Sequence, residues 1–414
     1  MSRRLFSTVA TQSLSPALLL CLSLVISRWW GPSVQGEFIA GKSWLDLLVS
    51  IGCFGFPQSV IIAVNRRGTS RWTLYTRAAA YSAILVVPFA FASTVVIQHP
   101  NISLSQALAY GIGASGIVVS NIWRGILLTV DDGRRFDLIT VVPAVAIAVA
   151  VAGTLILESS GIAGLMPIVC AVAGVIALLL SLMLLPPHES RALPGERPNY
   201  RELVTNGADL FIQALSMSAQ TYFCYFLLRQ GFGEAAAGRF SVALIAYQAL
   251  GLPLQMISPM VLNRWSKPGG SSYTDLRSGR IRQVTFGIIT IVLVALASAP
   301  SLINAVFGED YKQSVAATQI VIAAVFPAYL FRIAALRMAA EGRFRATSAS
   351  AVSRGIAVTV SAASLLIKGS SANPIIAASV CWLVGEIIAA AMITIAFHRH
   401  FQTGIWSLLL GRSK

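Results

Sequence analysis

The sequence predicts an all-α polytopic membrane protein with about 12 transmembrane helices in two parallel six-helix lobes. Three observations carry that prediction. Of 414 residues, 56% are hydrophobic and only 11% are charged, whereas soluble domains carry roughly a quarter charged residues. Apolar runs recur along the whole length, each near the roughly 20 residues that a helix needs to cross a bilayer core. The two halves of the chain also repeat each other at nearly constant offsets.

Between polar breaks the first six spans are read as 6–28, 38–63, 76–97, 104–129, 138–157 and 162–185. The second six are 203–228, 239–262, 284–306, 314–338, 347–367 and 374–397. Backbone polar groups cannot stay unpaired in hydrocarbon, so each run must be helical. The chain then divides into an N-terminal lobe (1–185), a Pro-rich polar linker (186–202), a C-terminal lobe (203–397) and a tail (398–414).

The stretch Ser27–Phe38, SRWWGPSVQGEF, interrupts two apolar runs, and RQGFGEAAAGRF at Arg229–Phe240 does the same in the second half. Both read as short turns between spans. Gly31, Pro32 and Gly36 are expected to break the helix, and Arg28, Trp29 and Trp30 to anchor its end at the membrane surface. At an offset of 202, Gly31 matches Gly233, Gly36 matches Gly238, Phe38 matches Phe240 and Pro57 matches Pro259. At 208, Arg124 matches Arg332, Arg135 matches Arg343 and Phe136 matches Phe344. Parallel repeats with a site near mid-membrane between them are a transporter plan.

The net charge of +15 is spread over short loops rather than gathered in one stripe, which argues against a nucleic-acid partner. With the N-terminus inside, about 21 Lys and Arg residues fall on the cytoplasmic side and about five opposite, which predicts that both termini are cytoplasmic. Cys21, Cys53, Cys170, Cys224 and Cys381 lie in apolar runs without CxxC spacing, and the four histidines lack ligand spacing. No metal or cofactor is expected. The Ser2-Arg3-Arg4 start and Cys21 superficially match export and lipoprotein signals, but a first span with a basic flank accounts for both.

SRWWGPSVQGEF with the helix ending near GFPQSVIIAVNR, the stretch GRFSVALIAYQALGLPLQMISPMVLNRW, then FGEDYKQSVAATQIV and AAEGRFRA resemble the polysaccharide-exporting branch of the multidrug/oligosaccharidyl-lipid/polysaccharide exporter superfamily. This branch comprises the O-antigen, capsule and exopolysaccharide repeat-unit flippases. The resemblance covers nearly the whole chain, through glycine, phenylalanine and proline placements rather than a catalytic signature. It implies two lobes around a central cavity, in the bacterial cytoplasmic (inner) membrane. It also implies transfer of an undecaprenyl-diphosphate-linked oligosaccharide from the cytoplasmic to the periplasmic leaflet. A glycan polymerase and a chain-length regulator of the same pathway are the implied protein partners.

Charges inside spans are costly and mark cavities or partners. Arginine grips phosphate oxygens bidentately, so Arg124, Arg332, Arg354 and Arg28 are the candidates for substrate binding. The first two either face a shared cavity, or snorkel to the headgroups or pair structurally between helices, and Arg354 has the same alternatives. Asp46, Glu386 and Asp209 are the candidates for ion coupling, since a carboxyl group in a low-dielectric cavity can bind and release a proton. Each could instead close a helix interface, and Asp209 could favour a helix N-terminus. The competing functions are a small-molecule efflux pump, a lipid II flippase, a non-transporting scaffold and a membrane glycan polymerase or ligase. An enzyme of the last kind would need a large extramembrane loop, and no periplasmic loop exceeds about a dozen residues.

Overall fold

The computed structural model describes residues 3–57, 59–61, 80–98, 103–130, 133–157, 162–184, 200–265, 278–367, 373–402 and 405. The helices are α1 (Arg3–Cys53), α2 (Val87–Gln98), α3 (Leu104–Val130), α4 (Gly133–Leu157), α5 (Ile162–Met183) and α6 (Tyr200–Phe232). There follow α7 (Glu234–Trp265), α8 (Ser278–Val306), α9 (Val315–Ala323), α10 (Val325–Ala340), α11 (Phe344–Ile367) and α12 (Pro374–Phe401). A π-helical turn, Ser82–Val86, leads into α2, and a 3-10 turn, Glu309–Ser314, leads into α9. Among the described residues there is no strand. The protein is an all-α polytopic membrane protein.

Where their residues are described, the expected spans fall on helix, with four adjustments, one of them that span 2 is interrupted at Phe54 and Gly55, at φ 45° and 69°. Spans 1 and 2 are one interrupted element, α1, whose only non-helical residue is Gly31 at φ 78° and ψ −177°. Pro32 follows as the first residue of the second segment, where its missing N–H costs nothing. The expectation that Gly36 also breaks the helix is corrected: it lies inside α1. The echo between α6 and α7 is equally short, since Gly233 alone separates them, at φ 85°. Arg229 and Glu234 form an ion pair across it. Span 10 is split at Ala324 into α9 and α10. Among the described residues, five helical segments are long and apolar enough to cross a membrane: Ala17–Cys53, Glu234–Leu254, Thr285–Val306, Ser314–Ala340 and Pro374–Phe401.

The chain divides into two compact units. Unit 1 holds Met1–Ser23 and Ala40–Ser218, and unit 2 holds Leu24–Ile39 and Ala219–Lys414. The kink of α1 therefore travels with the second half of the chain. The expected linker lies mostly outside the described residues, which resume at 200.

In unit 1, α3 packs backbone to backbone on α5. A Cβ on Gly113 would stand 2.6 Å from the Cys170 carbonyl oxygen, and one on Gly116 would collide with the Gly174 carbonyl. Small residues let membrane helices approach this closely where no hydrophobic force drives them together. Trp44 ties α1 to α2 by donating to Thr94 Oγ1 at 3.0 Å. In unit 2 the core runs from Tyr225 and Phe240 through Val321 to Trp382. Large apolar side chains such as Phe89, Val172, Leu179, Val294, Val360 and Ile395 stay exposed, as expected of helices solvated by lipid.

Candidate functional site in the second unit

Four helices of unit 2 converge on one carboxylate. Glu386, midway along α12, is 0% exposed, and Arg354 on α11 is 1% exposed. Arg354 Nη1 lies 3.3 Å from Glu386 Oε1 and 3.4 Å from Oε2. The Tyr247 hydroxyl on α7 donates to Oε1 at 2.8 Å. The guanidinium sits over the Phe331 ring of α10, 5.3 Å from its centroid. Two residues expected to serve separate roles, one for substrate and one for ions, are each other's partners.

Local sequence makes this convergence possible. Gly385 precedes Glu386, and a Cβ there would collide with the Val358 side chain and stand 3.3 Å from Arg354 Cγ. The glycine thus brings α12 close enough to α11 for the ion pair to form. Trp382, one turn earlier, meets Tyr247 edge to face at 5.7 Å and fixes the phenol. Burying two charges costs several kcal/mol per ion; here the loss is offset by the ion pair, the phenol hydrogen bond and the aromatic face. The Nε and Nη2 atoms of Arg354 have no hydrogen-bond partner among the described residues.

Arg332 follows Phe331 on α10 and is half-buried. It lies within electrostatic reach of Tyr247. Among the described residues it has no ion-pair partner. The cluster of Arg332, Arg354 and Glu386 therefore carries one positive charge in excess, with Arg332 and Glu386 on segments apolar enough to span a membrane.

The other candidates lie elsewhere. In unit 1, Asp46 pairs with Lys42 one turn earlier at 2.5 Å, with side chains 53% and 27% exposed. Arg124, half-buried on α3, has its Nη1 3.5 Å from Asn121 Oδ1. Asn121 in turn points its amide at Cys53 Sγ, 3.9 Å away. Asp209 is half-buried on α6, two residues beyond Gly207, where α6 passes the Phe54 carbonyl. Arg28, at the α1 kink in unit 2, rests its guanidinium on Gly308, which holds φ 94°. That contact packs Arg28 onto the turn before Glu309. Among the described residues no group of His, Cys, Asp and Glu could hold a metal ion.

Sequence reasoning missed Tyr247 and Phe331. The available signal for Tyr247 was a lone phenol within an otherwise aliphatic span, since a buried tyrosine hydroxyl needs a partner. Phe331 carried no signal of its own.

No protein-family model matches the sequence, and no curated protein does. Solved structures match its shape over nearly the whole length. An outward-facing multidrug resistance MATE family transporter of the MOP superfamily aligns with TM-score 0.69 at 15% identity, covering 98% of this chain and 95% of its own. An inward-facing one aligns at 0.65 and 14%, covering 100% and 97%. The chain has the MATE transporter fold. A MOP superfamily transporter from Pyrococcus furiosus, described as having a binding pocket of reversed polarity that suggests a different function, aligns at 0.66 and 12%, covering 98% and 96%.

Proposed function

We propose that this protein is an alternating-access transporter of the bacterial cytoplasmic membrane with an anionic lipid-linked cargo. The cargo is a polyprenyl-diphosphate-linked oligosaccharide, carried from the cytoplasmic to the periplasmic leaflet for surface polysaccharide assembly. A polymerase and a chain-length regulator would act on it next. Transport itself breaks no covalent bond, so no catalytic residue is invoked.

Alternation is supported by the likeness to structures described as inward-facing and outward-facing and by the internal repeat. The observation that carries the choice of cargo is Arg332, a half-buried cation on α10 with no ion-pair partner among the described residues. Arg124 stands at the equivalent repeat position on α3. A diphosphate offers oxygens that a guanidinium fork matches bidentately, whereas a cationic drug would meet like charge. The second reading, small-molecule efflux, is favoured by the multidrug description of those neighbours.

Reconstitution in proteoliposomes separates the two. Flipping of a polyprenyl-diphosphate oligosaccharide, read by its accessibility to an impermeant sugar-modifying reagent, is the expected result. Export of cationic dyes without movement of the lipid-linked sugar would establish the second reading instead.

A further inference from the structure

A mid-membrane carboxylate that exchanges a proton or metal ion needs a free coordination face. At Glu386 both oxygens face a cation. Oε1 accepts from Tyr247 at 2.8 Å and from Arg354 at 3.3 Å, and Oε2 lies 3.4 Å from the same Arg354 nitrogen. Neither side chain reaches solvent. We infer that Arg354 is a built-in counter-cation for Glu386, occupying the place that a proton or a metal ion takes at an exchanging carboxylate.

The tether is as well built as the pair. Gly385 lets the Arg354 backbone and Cγ pass close beside α12. Phe331 supports the guanidinium from α10, and a cation over an aromatic face gains most where water is excluded. The charged and titratable groups around Glu386 are Tyr247 from α7, Arg332 from α10 and Arg354 from α11. α9 carries no titratable residue. Both charged neighbours are cations, and among the described residues no group of three or more His, Cys, Asp and Glu is placed to hold a metal ion. Glu386 therefore faces a fixed cation of the protein itself, and joins α7, α11 and α12 into one block. Ion coupling, where the transport cycle uses it, then falls to the remaining candidates, Asp46 and Asp209 of unit 1. Only this last consequence rests on the transporter reading.

The test needs no cargo. Thermal unfolding of the purified full-length protein in detergent is followed between about pH 5 and about pH 8, with sodium or choline as the salt cation. Wild type and the Arg354→Gln/Glu386→Gln double variant should show the same dependence on pH and on sodium, because neither presents an uncompensated carboxylate. Arg354→Gln alone should lose several degrees of melting temperature as pH rises, or gain stabilisation by sodium, because a buried carboxylate stripped of its counter-charge takes up a proton or an ion. A wild-type response to sodium or to pH that disappears in the double variant would overturn the inference. That comparison stands even where the single variant fails to accumulate. A negative flipping assay would sink the transporter reading and leave these melting profiles unchanged.

Discussion

Gly36 and Gly238, 202 residues apart and equivalent in the repeat, meet backbone to backbone within unit 2. A Cβ on Gly36 would collide with the Glu234 carbonyl and stand 3.1 Å from the Gly238 nitrogen; one on Gly238 would collide with the Pro32 carbonyl. Gln35 donates to Ser241 at 3.2 Å beside the crossing. The duplicated turn thus packs against its own copy.

Alanine at either glycine should therefore act through overpacking. Gly36→Ala and Gly238→Ala are each expected to destabilise by about 1–3 kcal/mol, read as a lower melting temperature in detergent. Gly31 provides the contrast. Nothing stands within 4 Å of a Cβ there, so Gly31→Ala should cost only backbone strain, about 1–3 kcal/mol, because φ 78° with ψ −177° is a conformation that essentially only glycine adopts. Enlarging the side chain further, from alanine to serine, should add little at position 31 and more at position 36, and equal increments at the two sites would contradict the distinction.

Much of this architecture was legible in the chain because the bilayer imposes it. Runs such as 284–306 and 374–397 had to be helices of near-fixed length, and the Gly31/Gly233 offset exposed the repeat before any contact was known. Gly36 was misread because a glycine that breaks a helix and one that admits a neighbouring helix look alike in sequence. The break at Ala324 had no marker of its own: Pro327 follows it, but prolines elsewhere, as at Pro167, sit inside unbroken helices. The Arg354–Glu386 pair was out of reach for a different reason. Its two residues sit on different helices, and whether they face each other depends on the rotation of α12 against α11, which the contact at Gly385 sets.

Arg337 offers a test of aromatic support for a cation. It is 8% exposed, pairs with Glu341 at 2.8 Å, and lies 5.8 Å from the Trp265 ring centroid and 5.6 Å from that of Phe401. His400 reaches the other Glu341 oxygen at 3.1 Å. Arg337→Lys keeps the charge but loses the planar stacking surface, and should destabilise by about 1 kcal/mol. In a double-mutant cycle with Trp265→Leu, the second change should cost less in the lysine background than in the wild type. Full additivity would show that the ring contact contributes nothing.

Tyr311, in the 3-10 turn before α9, gives a pH dependence. Burial pushes its phenol up to about 12 from the usual 10; neighbouring Asp310 adds to the rise, while Ser27 and Arg239 oppose it. The native state then holds its proton where the unfolded chain has released one. The stability associated with that proton is complete below about pH 10 and is lost as pH rises toward about 12. Tyr311→Phe should flatten the alkaline limb of a stability–pH curve between those values. An unchanged limb would assign the loss to other groups.

The sharpest functional prediction sets Arg332 against Arg354, both basic residues of unit 2 inside expected spans. Arg332 has no ion-pair partner among the described residues, so Arg332→Gln strands no opposite charge and should change stability by less than about 0.5 kcal/mol. Its effect should fall on transport, as a loss of lipid-linked oligosaccharide flipping. Arg354→Gln leaves Glu386 buried without its partner, and breaking a buried pair from one side costs about 3–5 kcal/mol. Its effect should fall on folding first. Extending the first test across the repeat, Arg124→Glu with Arg332→Glu should abolish surface polysaccharide while the protein level is unchanged. Normal export in that double variant would show that neither arginine takes part in transport, because a reversed charge inside a span would repel any diphosphate that passed it.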